Sequence, residues 1–283
     1  MKQEERIGNG AILVTDGDLQ YIKFECFDKY SHSLIHCMST RNGGVSRGAC
    51  STLNLGFNRG DERENVIQNY QKLCGCVGID ADSLVLTNQV HNDIVRLIDD
   101  SDRGKGYSKE SDIIGVDGFV TSTPGITMVT FHADCVPLFL YEPEAGVVAL
   151  VHSGWRGTLK DISAAAIKAM KDIAGVDASR IIAVIGPSIR KCCFEVGNDV
   201  YSLFEDKYDM RLFSERNSRG KWLIDLQGII TLQLVDNGIY VKNIYDSEIC
   251  TMCRKELFFS YRGDNMKTGS LAAFMQIRKT GSI

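Results

Sequence analysis

Runs of apolar positions between polar stretches predict strands over 20–26, 84–90, 94–98, 126–131, 137–141, 147–152, 181–186 and 239–245, with β-branched and aromatic residues and flanking turn formers. Helical periodicity, with apolar residues returning every three or four positions, runs from Arg63 to Val77, Leu159 to Ile173, Asn198 to Lys207 and Leu226 to Asn237. Asp61 and Asp225 stand where an N-cap side chain would close a first helical turn, and Gly175 and Gly238 stand where a helix would stop. The elements do not alternate strictly, and several strand pairs are separated only by short turns. That order predicts an α+β protein of layered mixed β-sheets flanked by helices, rather than a doubly wound parallel sheet.

A chain of 283 residues can bury roughly three quarters of its unfolded surface, so one domain spanning 1–283 is the expectation. The polar segment from Asp99 to Ser111 reads as a mobile surface loop rather than a linker, with a flap over a nearby site as the alternative. The formal charge of −4 comes without a basic tract, which argues against a nucleic-acid partner. No run of about eighteen apolar residues offers a membrane span, and the charged start Met1-Lys2-Gln3-Glu4-Glu5-Arg6 has no signal-peptide core behind it. A cytoplasmic protein with no membrane partner is expected, and a monomer, since no heptad or other association face is visible. The ten cysteines include neighbours at 74/76, 192/193 and 250/253, and without a secretory signal reduced thiols are the better reading. Cys250-Thr251-Met252-Cys253 has metal-ligand spacing, but a structural zinc site needs a second pair, for which the sequence offers Cys74-Gly75-Cys76.

Three stretches carry the chemistry: Gln89-Val90-His91, Ala133-Asp134-Cys135 and His152-Ser153-Gly154-Trp155-Arg156-Gly157. His91, Cys135 and His152 each follow or close an apolar run, so all three fall at or near predicted strand ends, where a rigid scaffold can gather polar groups. Two imidazoles and a thiolate are a permitted catalytic zinc set, with the fourth position open for water or substrate. Asp134 is the nearest carboxylate in sequence, a proton carrier or the hydrogen-bond partner of a histidine. It faces the site only if the strand has ended before Cys135, since neighbouring strand residues point to opposite faces.

These stretches also carry a resemblance. With Thr40-Arg41-Asn42-Gly43-Gly44-Val45-Ser46, Leu53-Asn54-Leu55-Gly56, Gly60-Asp61, Asp117-Gly118, Ala133-Asp134-Cys135-Val136-Pro137, Ile185-Gly186-Pro187-Ser188-Ile189, Phe194-Glu195-Val196-Gly197, Cys250-Thr251 and Phe258-Phe259-Ser260-Tyr261-Arg262, the chain resembles the YfiH family of laccase-domain proteins from about residue 35 to about residue 277. The resemblance implies a layered α+β fold and a Zn2+ enzyme whose partners are a purine nucleoside and inorganic phosphate. Its reaction would be phosphorolysis of adenosine, inosine, guanosine or S-methyl-5'-thioadenosine, with adenosine deamination as a side activity.

Phosphorolysis requires an anion pocket. Arg41, followed by Gly43 and Gly44, is the first candidate and Arg262 the second, because a guanidinium grips phosphate in a bidentate manner. Asn54 would bind a sugar hydroxyl or a base edge, and the resemblance places Cys250 near the substrate. Trp155 and Phe194 offer stacking surfaces, although core packing is the default for such residues. The chain departs from the family at Gly263 and Ser270, where many members carry arginine.

Within the same family, some members are zinc amidases that remove L-serine from a nucleotide-linked muramic acid precursor, and the same triad suits that hydrolysis. A multicopper oxidase is excluded, because five histidines (His32, His36, His91, His132 and His152) cannot furnish its several copper centres. A single Cu2+ on two histidines and a cysteine is a formal rival. A cytidine-deaminase signature is absent, as His152 is followed by Ser153 and Gly154. A zinc-stabilised protein without catalysis would call for a closed set of four ligands, and three are evident.

Overall fold

The computed structural model describes residues 2–279. The chain opens with β1 (Gln3–Arg6), β2 (Ala11–Asp16), β3 (Leu19–Phe24) and β4 (Leu34–Ser39), followed by α1 (Arg63–Val77), β5 (Leu84–Leu86) and β6 (Val95–Leu97). Next come β7 (Gly118–Thr121), β8 (Thr127–His132), β9 (Val136–Glu142), β10 (Val147–Ser153), α2 (Trp155–Leu159), α3 (Ile162–Ala174) and β11 (Ile182–Ile185). The last part holds β12 (Glu195–Val196), α4 (Asn198–Glu205), α5 (Met210–Phe213), β13 (Ser214–Arg216), β14 (Trp222–Ile224), α6 (Leu226–Asp236), β15 (Ile244–Asp246) and β16 (Leu271–Ile277).

Two large mixed sheets result, as the element order predicts. One runs β1-β2-β3-β4-β16-β8-β5 and the other β15-β11-β9-β10-β7-β6. Both are antiparallel in their interior, with parallel pairs at β5·β8, β11·β15 and β6·β7. They pack face to face through Ile22, Met38, Met128 and Met275 on one side and Phe119, Phe139, Leu150 and Val184 on the other. Helix α1 covers the outer face of the first sheet, laying Val66, Tyr70 and Leu73 against Tyr21, Cys37, Val129 and Phe274. Helices α3 and α6 cover the second, with Ile162, Ala166, Met170, Ile230 and Leu234 over Leu138, Leu140, Ala149 and Val151. The stack is therefore helix, sheet, sheet, helix. This explains why β9 and β10 read as unbroken apolar runs: every residue in both strands is buried. A small sheet, β12-β14-β13, packs with α4 and α5 around Phe194, Phe204 and Ile224.

Several local expectations need correction. Strands β1, β2, β4, β7, β12, β13, β14 and β16 went unpredicted, and 239–245 contains a turn at Val241–Asn243 with only β15 at its end. The helix expected from Leu159 is two helices, broken where Asp161 takes φ 58° and its side chain accepts the Ala164 amide. Asp61 is not the N-cap of α1, which is Glu62; the Asp61 carboxylate instead accepts the Glu62 amide and the side chains of Asn54 and Asn65. Asp225 does cap α6 by accepting the Gly228 amide, and Gly175 closes α3 in the left-handed conformation. The segment from Asp99 to Ser111 is bonded to its surroundings: buried Asp102 takes Arg96 and Lys105, while backbone bonds tie Gly104 to Leu84 and Leu86 to Lys105.

Asp225→Ala removes that cap and is expected to cost about 1 kcal/mol. In urea unfolding the midpoint falls while the slope stays unchanged.

Candidate metal centre

The ligand atoms of His91, Cys135 and His152 lie within 4.8 Å of one another. Strand β10 carries His152, the turn between β8 and β9 carries Cys135, and the loop after β5 carries His91. Asp117, at the entrance to β7 and fully buried, holds two of the three in place. Its Oδ1 accepts the His91 amide at 2.9 Å and His152 Nδ1–H at 2.8 Å, while Oδ2 accepts the amides of Val90 at 3.1 Å and Asn92 at 2.9 Å. With Nδ1 spoken for, the His152 ring is oriented and its Nε2 is left for an ion. The same contacts stabilise His91 at φ 61°, a left-handed conformation that non-glycine residues rarely adopt.

Cys135 follows Asp134, which has φ 94°. The strand has ended there, yet the Asp134 carboxylate points away from the cluster's cleft: Oδ1 accepts the Thr251 hydroxyl and Oδ2 the Arg262 amide, each at 2.7 Å. His132, close by in sequence, is not a ligand, because Nε2 meets the Thr130 hydroxyl and Nδ1 the Cys135 carbonyl. Gly154 is required for want of space. A Cβ there would lie 2.8 Å from His91 Cδ2 and 3.2 Å from Cys135 Sγ.

The electrostatics suit a thiolate. Burial alone raises the Cys135 thiol, but the charge and hydrogen bond of His152, with His91, pull it down to about 6. Burial lowers His152, yet Cys135 and Asp117 outweigh that and hold it up to about 9. Burial also opposes ionisation of Asp117, and its His152 and amide hydrogen bonds keep it below the usual carboxylate range. Before any ion binds, the pair rests as thiolate and imidazolium.

The three ligands sit in a cleft of about 810 Å³, walled by Phe57, Arg59, Arg63, Gln89, Gly106, Ser111, Ile113, Ile114, Phe131, Tyr261 and Ser270. Arg59 Nε donates to Ser270 Oγ at 2.7 Å, and the Arg63 guanidinium lies 4.6 Å from the centre of the Phe57 ring. The other expected site residues lie outside the walls of this cleft. Arg41 stacks on Phe259 and donates to the carbonyls of Ser51 and Lys255. Arg262 donates to the Glu195 carbonyl above the Phe194 ring. Asn54 is buried, with its amide group spent on Gly56, Asp61 and the Ser270 backbone. Cys250 belongs to a separate group of thiols. Sequence reasoning missed Arg59, Arg63 and the aromatic walls Phe57 and Tyr261. The only signal was their place beside Gly56 and Arg262 in segments already singled out.

Residues 35–278 match the family model described as multi-copper polyphenol oxidoreductase laccase. The chain belongs to the laccase-domain (YfiH) family. Purine nucleoside phosphorylase YlmD of Geobacillus stearothermophilus is 34% identical over 245 residues, 86% of this chain and 89% of that protein. Adenosine deaminase RL5 of an unknown prokaryotic organism is 36% identical over 239 residues, 83% of this chain and 91% of that protein. The crystal structure of YlmD from Geobacillus stearothermophilus superposes with a TM-score of 0.87 at 31% identity, covering 94% of this chain and 98% of the other. The layered α+β architecture is thus that of the YfiH family, and the relatives are named as enzymes.

In this family member the donor set fits a borderline-soft divalent ion: two imidazole rings, one thiol with a lowered pKa and a cleft-facing open side. Between about 6 and about 9, Cys135 is already deprotonated while His152 still holds its proton. Uptake of an ion in that window must expel the proton of His152, so apparent affinity rises with pH up to about 9. Below about 6 the thiol proton must leave as well. Calorimetry in buffers of different ionisation enthalpy should read about one proton released by this pair per ion near neutrality. Gly154→Ala is expected to fold yet bind a divalent ion at least about tenfold more weakly, because the methyl group displaces His91 or Cys135; metal titration checks this.

Proposed function

We propose that the chain is a zinc-dependent purine nucleoside phosphorylase acting on adenosine, inosine, guanosine and S-methyl-5'-thioadenosine, with adenosine deamination as a side reaction. The observation that carries this reading is the meeting, in one cleft, of the His91/Cys135/His152 set with two guanidinium groups and flat aromatic walls. The names of the relatives support the same reaction class.

In the reaction, a phosphate oxygen bonds to the anomeric carbon of the ribose as the carbon–nitrogen bond to the purine breaks. The electron pair departs with the base, which takes up a proton. Arg59 and Arg63 are the phosphate-binding groups: both side chains line the cleft, and the hydroxyl of Ser270 orients the Arg59 fork. Ser270 is thereby given a role at a position where many relatives carry arginine, since it recruits a cation from another loop. Phe57, Phe131 and Tyr261 present faces or edges to a purine ring. Bound zinc would supply Lewis acidity and a water ligand with lowered pKa, which is also the chemistry that deamination needs. Asp134, Arg41, Asn54, Cys250 and Arg262 act by positioning, since their polar groups are engaged with backbone or neighbouring side chains.

The test is base release from inosine and adenosine by zinc-loaded protein, with and without phosphate. Phosphate-dependent release with ribose 1-phosphate as co-product, lost in His91→Ala, is the expected result. Absence of base release under every condition, with serine freed from the muramic acid precursor, would replace this reading with the amidase. Arg59→Ala and Arg63→Ala should each raise KM for phosphate about 10- to 100-fold, the worth of a hydrogen bond to a charged group, with the unfolding midpoint almost unmoved. Steady-state kinetics at varied phosphate reads this out.

A further inference from the structure

Four thiols converge outside the cleft walls. The sulfurs of Cys192, Cys193, Cys250 and Cys253 all lie within 4.8 Å of one another. The Cys192–Cys193 separation is 3.6 Å, Cys192–Cys253 3.7 Å and Cys193–Cys253 3.4 Å. A tetrahedral zinc ion with zinc–sulfur bonds of about 2.3 Å has sulfur–sulfur edges of about 3.8 Å. A disulfide would place one pair at about 2.05 Å and leave the others unpaired. The three edges among Cys192, Cys193 and Cys253 lie near those of the tetrahedron and far from a disulfide bond, and Cys250 closes the group within 4.8 Å.

The backbone supports the same occupant. The thiols come from two loops that follow the parallel neighbours β11 and β15 and are joined by a bridge between Ser188 and Cys250. Cys250-Thr251-Met252-Cys253 forms a tight turn with Cys250 buried at its start. Cys192 and Cys253 reach the surface, which leaves an entry path. The second cysteine pair that a zinc site requires is thus Cys192-Cys193, whereas Cys74 is buried on the inner face of α1 and Cys76 donates to Asp16.

We propose that Cys192, Cys193, Cys250 and Cys253 form a second, closed four-thiolate zinc site with a structural role. Binding converts four thiols and one zinc ion into a dianionic tetrathiolate with release of the thiol protons to solvent; no electron is transferred. The site clamps the turn that carries Thr251. Thr251 holds the carboxylate of Asp134, and Asp134 precedes the ligand Cys135 in a left-handed backbone conformation. The structural ion thereby steadies the turn that presents the thiolate of the first centre.

The test is the metal content of the full chain purified under reducing conditions with zinc, together with the absorption of the cobalt-substituted protein. The expected result is about two zinc ions per chain, falling to about one in Cys253→Ser and to about one in Cys135→Ser. The cobalt protein should show strong sulfur-to-metal charge-transfer absorption that persists in Cys135→Ser and is largely lost in Cys253→Ser. A wild-type content of one ion, abolished by Cys135→Ser, overturns the proposal. So does an intact mass under non-reducing conditions that shows two hydrogens lost per cysteine pair, which identifies disulfides instead. Because stoichiometry, cobalt spectrum and mass are all read on the unaltered chain, a poorly folding variant does not remove the test.

Discussion

The arrangement rests on one buried carboxylate. Asp117 accepts three consecutive backbone amides and one imidazole N–H, and in doing so it converts a sequence separation of 61 residues between His91 and His152 into a fixed pair of ligands. A carboxylate has about four acceptor positions, and all four donors here come from the two elements that must be held together. The hydrogen bonds also stabilise its charge, which in turn favours the imidazolium and so the thiolate beside it. Stripped of that carboxylate, the loop after β5 loses the three amide bonds that flank the left-handed backbone at His91.

The sheets provide what the carboxylate needs. Because β9 and β10 are buried on both faces, their ends are rigid, and polar groups placed there lose little freedom when an ion or substrate arrives. The third ligand depends on a different device. Cys135 is presented by a turn whose shape is secured through Asp134 and Thr251, and Thr251 lies inside the four-thiol cluster segment. Two sulfur-bearing sites are therefore connected through two residues, with the outer one steadying the inner.

Much of the fold was legible where side-chain pattern and environment agree. Strands β8 to β11 stand out as apolar runs and helix α1 by its periodicity, and the three metal-ligating candidates were visible because each follows or closes an apolar run: His91 after β5, Cys135 after β8 and His152 in β10. Other elements were hidden for physical reasons. Strand β16 reads Leu-Ala-Ala-Phe-Met-Gln-Ile, whose alanines and methionine favour helix locally, yet it lies between β4 and β8 with both faces buried. The break at Asp161 was masked because both flanking helices are apolar on one face. Asp117 could not be assigned its role from sequence, since the amides it binds have no side-chain signature. Arg59 and Arg63 look like ordinary solvated charges at a helix start, and only the folded wall reveals that they face the cleft. Likewise the adjacent pair Cys192-Cys193 lacks the spacing by which a zinc ligand pair is usually noticed.

The most direct test of this account is the zinc affinity of Asp117→Asn, measured by competition with a chelator alongside the unfolding midpoint. Asparagine keeps the shape but presents an NH₂ group where donors already point, and it removes the charge. The expected result is a folded protein whose cleft site binds zinc about 10- to 100-fold more weakly, in line with the loss of a group that orients a metal ligand. An affinity equal to that of the unaltered chain, with the protein folded, would contradict it.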